Sequence, residues 1–184
     1  MEINRINKVI IDFSEIDNII NSDKDEANRF FLDLCRYGKN IKTIKYLVDA
    51  GIDPRQNDDQ AFVNACLSGD FDVISYLVNH CGANVNAQNG KGIINVIGNL
   101  SKKSIKLLLE NGAILSENII NEAIKNDDMA SIEAFIEHGI DPYKIALIYW
   151  KYVSRFSCFD IEIMSFLIKN NVDLNQSLSL FLKK

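Results

Sequence analysis

One phrase occurs five times along the chain: an apolar run, a short polar stretch, then Gly or Asn. The copies are Ile44–Gly51, Ile74–Gly82, Ile105–Gly112, Ile132–Gly139 and Met164–Asn171, and their first residues lie 30, 31, 27 and 32 positions apart. A period of that length is the mark of stacked supersecondary units, none of which can bury its apolar face alone. Within a copy the apolar positions recur at i, i+3 and i+4, as in Ile74, Leu77 and Val78, which is the stripe of an amphipathic helix. Four residues ahead of the copies stand Asn40, Asp70, Ser101, Asp128 and Asp160. All belong to the set whose side-chain oxygen accepts from the orphan amides of a first helical turn. The copies end at Gly51, Gly82, Gly112, Gly139 and Asn171, the residue types that best tolerate a left-handed stop. Start and stop are therefore both specified chemically.

Ahead of the first four caps lies a shorter stripe: Phe31, Leu34 and Cys35; Phe62, Ala65 and Cys66; Ile93, Val96 and Ile97; Ile120, Ala123 and Ile124. It predicts a second helix per unit, antiparallel to the first because the connection is short. Turn-forming segments such as Ala83–Lys91 join successive units, and Asn89-Gly90 within it favours a tight hairpin. Val9, Ile10, Ile11, Phe13, Ile16, Ile19 and Ile20 suit an N-terminal capping helix, and Leu178, Leu180, Phe181 and Leu182 suit a cover for the last unit.

Helix, turn, helix and a short connection carrying Gly82-Ala-Asn-Val-Asn-Ala87 resembles the ankyrin repeat. The likeness is most specific over Ala61–Ala87, where Ala65-Cys66, Gly69-Asp70, Val73-Ile74 and Leu77-Val78 take the family's positions in order. The family's Thr-Pro-Leu-His opening is replaced by Gln60-Ala-Phe-Val63, and the units run short of the usual length of about 33 residues. The resemblance implies an all-α ankyrin-repeat solenoid with short hairpin-like connections. Its expected organisation is a capping segment 1–24, five repeats over 25–54, 55–87, 88–115, 116–142 and 143–175, and a C-terminal cap 176–184. The polar lead Asn57-Asp58-Asp59-Gln60-Ala61 further resembles ankyrin proteins of giant DNA viruses.

The remaining features exclude more than they assign. With 47% hydrophobic and 24% charged residues, the 184-residue chain has material for a packed body. Its net charge of -5 argues against a phosphate-backbone partner. No run approaches transmembrane length and Met1–Phe13 lacks a leader pattern, so a soluble, intracellular, cytoplasmic protein is expected. Cys35 and Cys66 occupy matching places in adjacent units, and helices packed about 8–10 Å apart are too distant for a disulfide. Both are read as buried thiols. His80 and His138 lie in different repeats and make no metal site, and no phosphate loop or nucleophile elbow is present. No cofactor, no metal and no enzymatic activity are expected.

The resemblance implies a protein-binding surface built from the connection tips and the first helices. The family's recognition positions fall on Arg36, Tyr37, Gln56, Asn57, Asp59, Leu67, Ser68, Asn89, Lys91, Asn99, Glu117, Lys125 and Asn126. Leu67 stands out as an apolar residue where the family faces solvent. The fifth unit is rich in aromatics, and Tyr149, Trp150 and Tyr152 are candidate anchors, Trp150 with a competing core role and Tyr152 as a partner-binding residue. Charge is uneven: Asp53, Asp58, Asp59, Asp70 and Asp72 precede a basic block of Lys91, Lys102, Lys103 and Lys106, which can steer a charged partner. The viral likeness implies a host protein as partner in the host cytoplasm. An adaptor for a host ubiquitin ligase is the variant reading, although the chain stops at Lys184 without room for an F-box-like segment. A structural or decoy solenoid without a dedicated ligand and an enzyme with an unrecognised site complete the alternatives.

Overall fold

All five sequence-encoded helix starts are realised as side-chain caps in a computed structural model, which describes residues 13–38, 40–99, 101–157 and 159–183. Asn40 Oδ1 accepts from the Thr43 amide at 3.2 Å, and Asp70 Oδ1 accepts from Asp72 and Val73 at 3.0 and 3.3 Å. Ser101 Oγ accepts from Ser104 at 3.3 Å, Asp128 Oδ1 from Ser131 at 3.0 Å and Asp160 Oδ1 from Ile163 at 2.9 Å. The five stops are equally consistent. Gly51, Gly82, Gly112 and Gly139 have φ of 99°, 68°, 85° and 95°, and Asn171 takes the same region at 63°.

The chain divides into two compact units, Met1–Gly92 and Ile93–Lys184. The described residues of the first hold α1 (Phe13–Ser22), α2 (Lys24–Tyr37), α3 (Ile41–Asp49), α4 (Gln56–Ser68) and α5 (Phe71–Asn79). Next comes α6 (Ala87–Val96), within which the division falls. The second unit holds α7 (Lys102–Glu110), α8 (Glu117–Lys125), α9 (Met129–Glu137), α10 (Pro142–Phe156), α11 (Ile161–Lys169) and α12 (Leu174–Leu182). Among the described residues there is no strand.

Packing follows the repeat. In the first unit α2 packs on α4, the leading helices of successive repeats, and α3 packs on α5, the trailing ones. In the second unit α10 packs on both α8 and α12, and α7 on α9. The stripes read from sequence form these cores: Phe31, Cys35, Phe62, Cys66, Ile74 and Leu77 are buried in the first unit, and Ile105, Leu108, Ile120, Ile132 and Phe135 in the second. At about 25 cal/mol per Å² of apolar area, side chains of this size dominate what holds each stack together.

Val9, Ile10 and Ile11 lie outside the described residues, whereas Ile16 in α1 is buried and Ile19 and Ile20 are half-buried. At the other end Leu178 and Phe181 are half-buried and Leu180 and Leu182 are exposed. Asp173 caps α12 as Asp141 caps α10, so α12 begins like another leading helix.

One cap does more than start a helix. Asp128 is fully buried; besides the Ser131 amide it accepts the Ser131 hydroxyl at 2.6 Å and the Gly98 amide at 2.8 Å. It therefore ties the end of one leading helix to the start of the next repeat's trailing helix. Asp128→Ala removes the cap and strands buried donors, so urea denaturation should show a loss of about 2–4 kcal/mol, with Asp128→Asn milder. Gly92 is a second sensitive point, because a Cβ built there would lie 2.4 Å from Phe62 Cε1 and 2.6 Å from Cζ. Helix propensity favours Ala over Gly by about 1 kcal/mol, yet overpacking costs about 1–3 kcal/mol. Gly92→Ala should lower the melting temperature rather than raise it.

Candidate interaction surface

The connections between repeats are more compact than hairpins. Asn57, Asp58 and Asp59 all have φ near 54°, and Gln88, Asn89 and Gly90 have φ of 50°, 59° and 75°. Each triplet is thus one left-handed turn, closed by an amide bonded four residues back: Asp59 to the Arg55 carbonyl and Gly90 to the Asn86 carbonyl. Such backbone costs a non-glycine residue about 1–2 kcal/mol, and Asn and Asp tolerate it best. The costs are offset between neighbours. The Gln88 amide donates to Asp58 Oδ2 at 2.8 Å, and its side-chain amide donates to the Asp58 carbonyl at 3.2 Å and to Gln60 Oε1 at 3.0 Å.

This geometry sorts the predicted contact residues of the first unit. Asn57, Asn89 and Lys91 are exposed at the turns, and Gln56 is half-buried, donating to Asn28 Oδ1 and the Asp53 carbonyl. Asp59 is a correction. It is 4% exposed, ion-paired to Arg55 at 3.3 Å, and belongs to the support of the turn rather than to its outer surface. The third left-handed residue points back into the stack, as Gly90 does in the next repeat. Arg36 and Tyr37 end α2, and Leu67 and Ser68 end α4; Tyr37 and Leu67 are 48% and 50% exposed. Ser68 Oγ is half-buried and donates to the Ala65 carbonyl.

In the second unit Asn99, Glu117, Lys125 and Asn126 are exposed. Lys125 and Asn126 both bond Glu122, and Glu117 pairs with Lys151. The aromatic unit divides. Tyr149 is fully buried, its hydroxyl accepting from the Asp160 amide at 2.8 Å, and Trp150 is buried with its indole N–H donating to Ser177 Oγ at 2.9 Å. Both are core, which settles Trp150 on its core role and leaves Tyr152 as the candidate anchor. Tyr152 is half-buried with its ring 4.9 Å from that of exposed Phe156.

The basic block does not stand free. Lys102 bonds Glu133 at 2.6 Å and Glu137 at 2.7 Å, and Lys106 bonds Glu137 at 2.6 Å. Hydrogen bonds from these lysines hold the Glu137 carboxyl below its ordinary range, and those to Glu133 and Glu137 raise Lys102. The sequence reading missed this because the glutamates come from the following repeat.

Residues 59–87 match the family model described as the ankyrin repeat. Those residues are similar to an ankyrin repeat. The matched stretch runs from Asp59 through the rest of α4 and all of α5 with its Asp70 cap, and the helical pairs on either side of it follow the same grammar. The fold is accordingly that of an all-helical ankyrin-repeat solenoid. Ankyrin repeats generally serve as protein-protein interaction modules and are typically non-enzymatic. The match concerns the repeat and carries no information on a viral source. No curated protein and no solved structure matched the chain.

Among the described residues no cluster of three His, Cys, Asp or Glu is placed to hold a metal ion, and no helix is long and apolar enough to cross a membrane. Cys35 and Cys66 are buried thiols and Cys81 is a half-buried one; Cys158 lies outside the described residues. Burial pushes the Cys35 thiol up to about 12, with the charge of Cys81 adding to it, and burial pushes Cys66 up as well. An unfolded thiol ionises near about 8.5, so above that pH the unfolded chain loses protons that the native chain keeps. The stability associated with the neutral thiols is intact below about pH 8.5 and is lost as pH rises toward the native value. Urea midpoints should fall between about pH 8 and 10, with a slope of up to about 1.4 kcal/mol per pH unit for each thiol. The slope should flatten in a Cys35→Ala, Cys66→Ala variant.

Proposed function

We propose that the chain is a non-enzymatic binding module that grips another protein through its repeat turns and the ends of its leading helices. The observation that carries this reading is the pair of exposed apolar residues Tyr37 and Leu67 at matching ends of α2 and α4 in the first unit. Water-facing aromatic and aliphatic side chains gain most from coverage by a partner. Around them the turn residues Asn57, Asn89 and Lys91 offer polar groups suited to an interface rim. The capping and stop residues are committed to the stack, which leaves these positions free to specify a partner.

Leu67→Glu combined with Lys91→Glu changes charge at two exposed positions and should leave the melting temperature unchanged. A partner captured by the wild-type chain should be retained at least tenfold less by this variant. Equal retention by both chains would place recognition elsewhere.

A further inference from the structure

We propose, resting on the protein-binding reading, that the outer face of α10 in the second unit receives an acidic segment of a partner protein carrying one large apolar side chain. Ile145, Ala146, Ile148, Tyr149, Trp150 and Val153 are buried; the middle of that arc, around Ala146, Tyr149 and Val153, faces inward, and Ile148 is covered at its edge. The opposite side then carries Lys144, Lys151 and Arg155 at i, i+7 and i+11, a single exposed row. At 1.5 Å per residue the steps are about 10 and 6 Å. The charge is local, because the whole chain carries -5.

Little within the unit neutralises the row. Lys151 bonds Glu117 of α8, whose carboxyl is held below its ordinary range chiefly by that hydrogen bond, with the charges of Arg155 and Lys144 adding. Neither Lys144 nor Arg155 is in an ion pair among the described residues. Glu122 of α8 is engaged by Lys125. Gln176 of α12 lines the same depression as Lys144, and the carboxylates that open α10 and α12, Asp141 and Asp173, cap those helices.

Beside the row lies an open depression of about 490 Å³ between α10 and α12, lined by Asp141, Tyr143, Lys144, Leu147, Gln176 and Leu180. Its polar groups are largely satisfied internally: Asp141 accepts from the Tyr143 amide at 2.9 Å, and the Tyr143 hydroxyl donates to Gln176 Oε1 at 2.9 Å. Leu147 is half-buried and Leu180 is 44% exposed, so the depression offers apolar walls. Alternate side chains of an extended peptide stand about 6.6 Å apart, close to the Lys151–Arg155 step. Two carboxylates so spaced, flanking an aromatic or aliphatic residue over Leu147 and Leu180, satisfy the row and the depression together. The apolar walls favour such a peptide over a phosphate backbone.

The test is selection from a randomised peptide display library on the full chain, followed by anisotropy with a labelled, enriched peptide. Enriched sequences should hold two or more Asp or Glu around a large apolar residue. Lys144→Glu with Arg155→Glu should weaken binding at least tenfold, and Leu180→Asp should do so independently. Lys42→Glu in the first unit, an exposed position with no part in either surface, should leave binding unchanged, and all variants should melt as the wild type does. Peptides without acidic bias, or peptides indifferent to the α10 variants, overturn this assignment while leaving protein binding intact. Displacement of the peptide by an oligothymidylate of 20 nucleotides at equal charge concentration also overturns it, and enrichment of no peptide counts against both readings.

Discussion

The structure depends on the polar residue that opens each trailing helix. A helix of nine residues is too short to persist in water by itself, since nucleation fixes several residues for one hydrogen bond. The trailing helices α3, α5, α7, α9 and α11 are all of that length. Each begins with a side-chain cap and ends at a left-handed residue, so both boundaries are set before packing refines them. Asp128 extends the device: a fully buried carboxylate that accepts from Gly98 as well as from its own helix couples one repeat to the next. Local chemistry and stacking are thereby joined in a single group.

A second coupling operates at the turns of the first unit. Left-handed backbone in Asn57–Asp59 is costly in isolation, and the Gln88 amide and side chain support it from the following repeat. The same Gln88 begins the next left-handed triplet, so the first turn is held by the second. This explains why Asp59 is buried despite lying in a polar, loop-like sequence. A residue counted as a tip by alignment becomes a strut once the connection folds as one left-handed turn.

How much was legible follows from range. The caps and stops depend on contacts within four residues, and the apolar stripes on helical periodicity, so all of them could be read from spacing alone. Hydrogen bonds some 30 residues apart could not. The Lys102–Glu133 and Lys102–Glu137 pairs that occupy the basic block, the Trp150–Ser177 bond that commits the indole to the core, and the Gln88–Asp58 bond that supports a turn all cross from one repeat to another. Asn89-Gly90 favours a hairpin in general, but the shortness of this connection and support from the preceding repeat select a different turn. Leu67 is exposed, as its place near the end of a leading helix predicts, whereas the cationic row of α10 becomes apparent only once burial of its aromatics fixes the rotation of the helix.

Tyr149 and Trp150 each bury an aromatic ring and satisfy its polar tip, the hydroxyl against Asp160 and the indole N–H against Ser177. Such residues suit recognition when their polar ends face water, but here both ends find partners inside the second unit. By fixing the rotation of α10, they also decide which residues remain outside. The aromatic side orients the helix, and the orientation aligns Lys144, Lys151 and Arg155 beside the depression bordered by Leu147 and Leu180. Side chains needed to build the repeat leave a complementary set unconstrained by packing, and it is in that set that differences between repeats can be turned to binding.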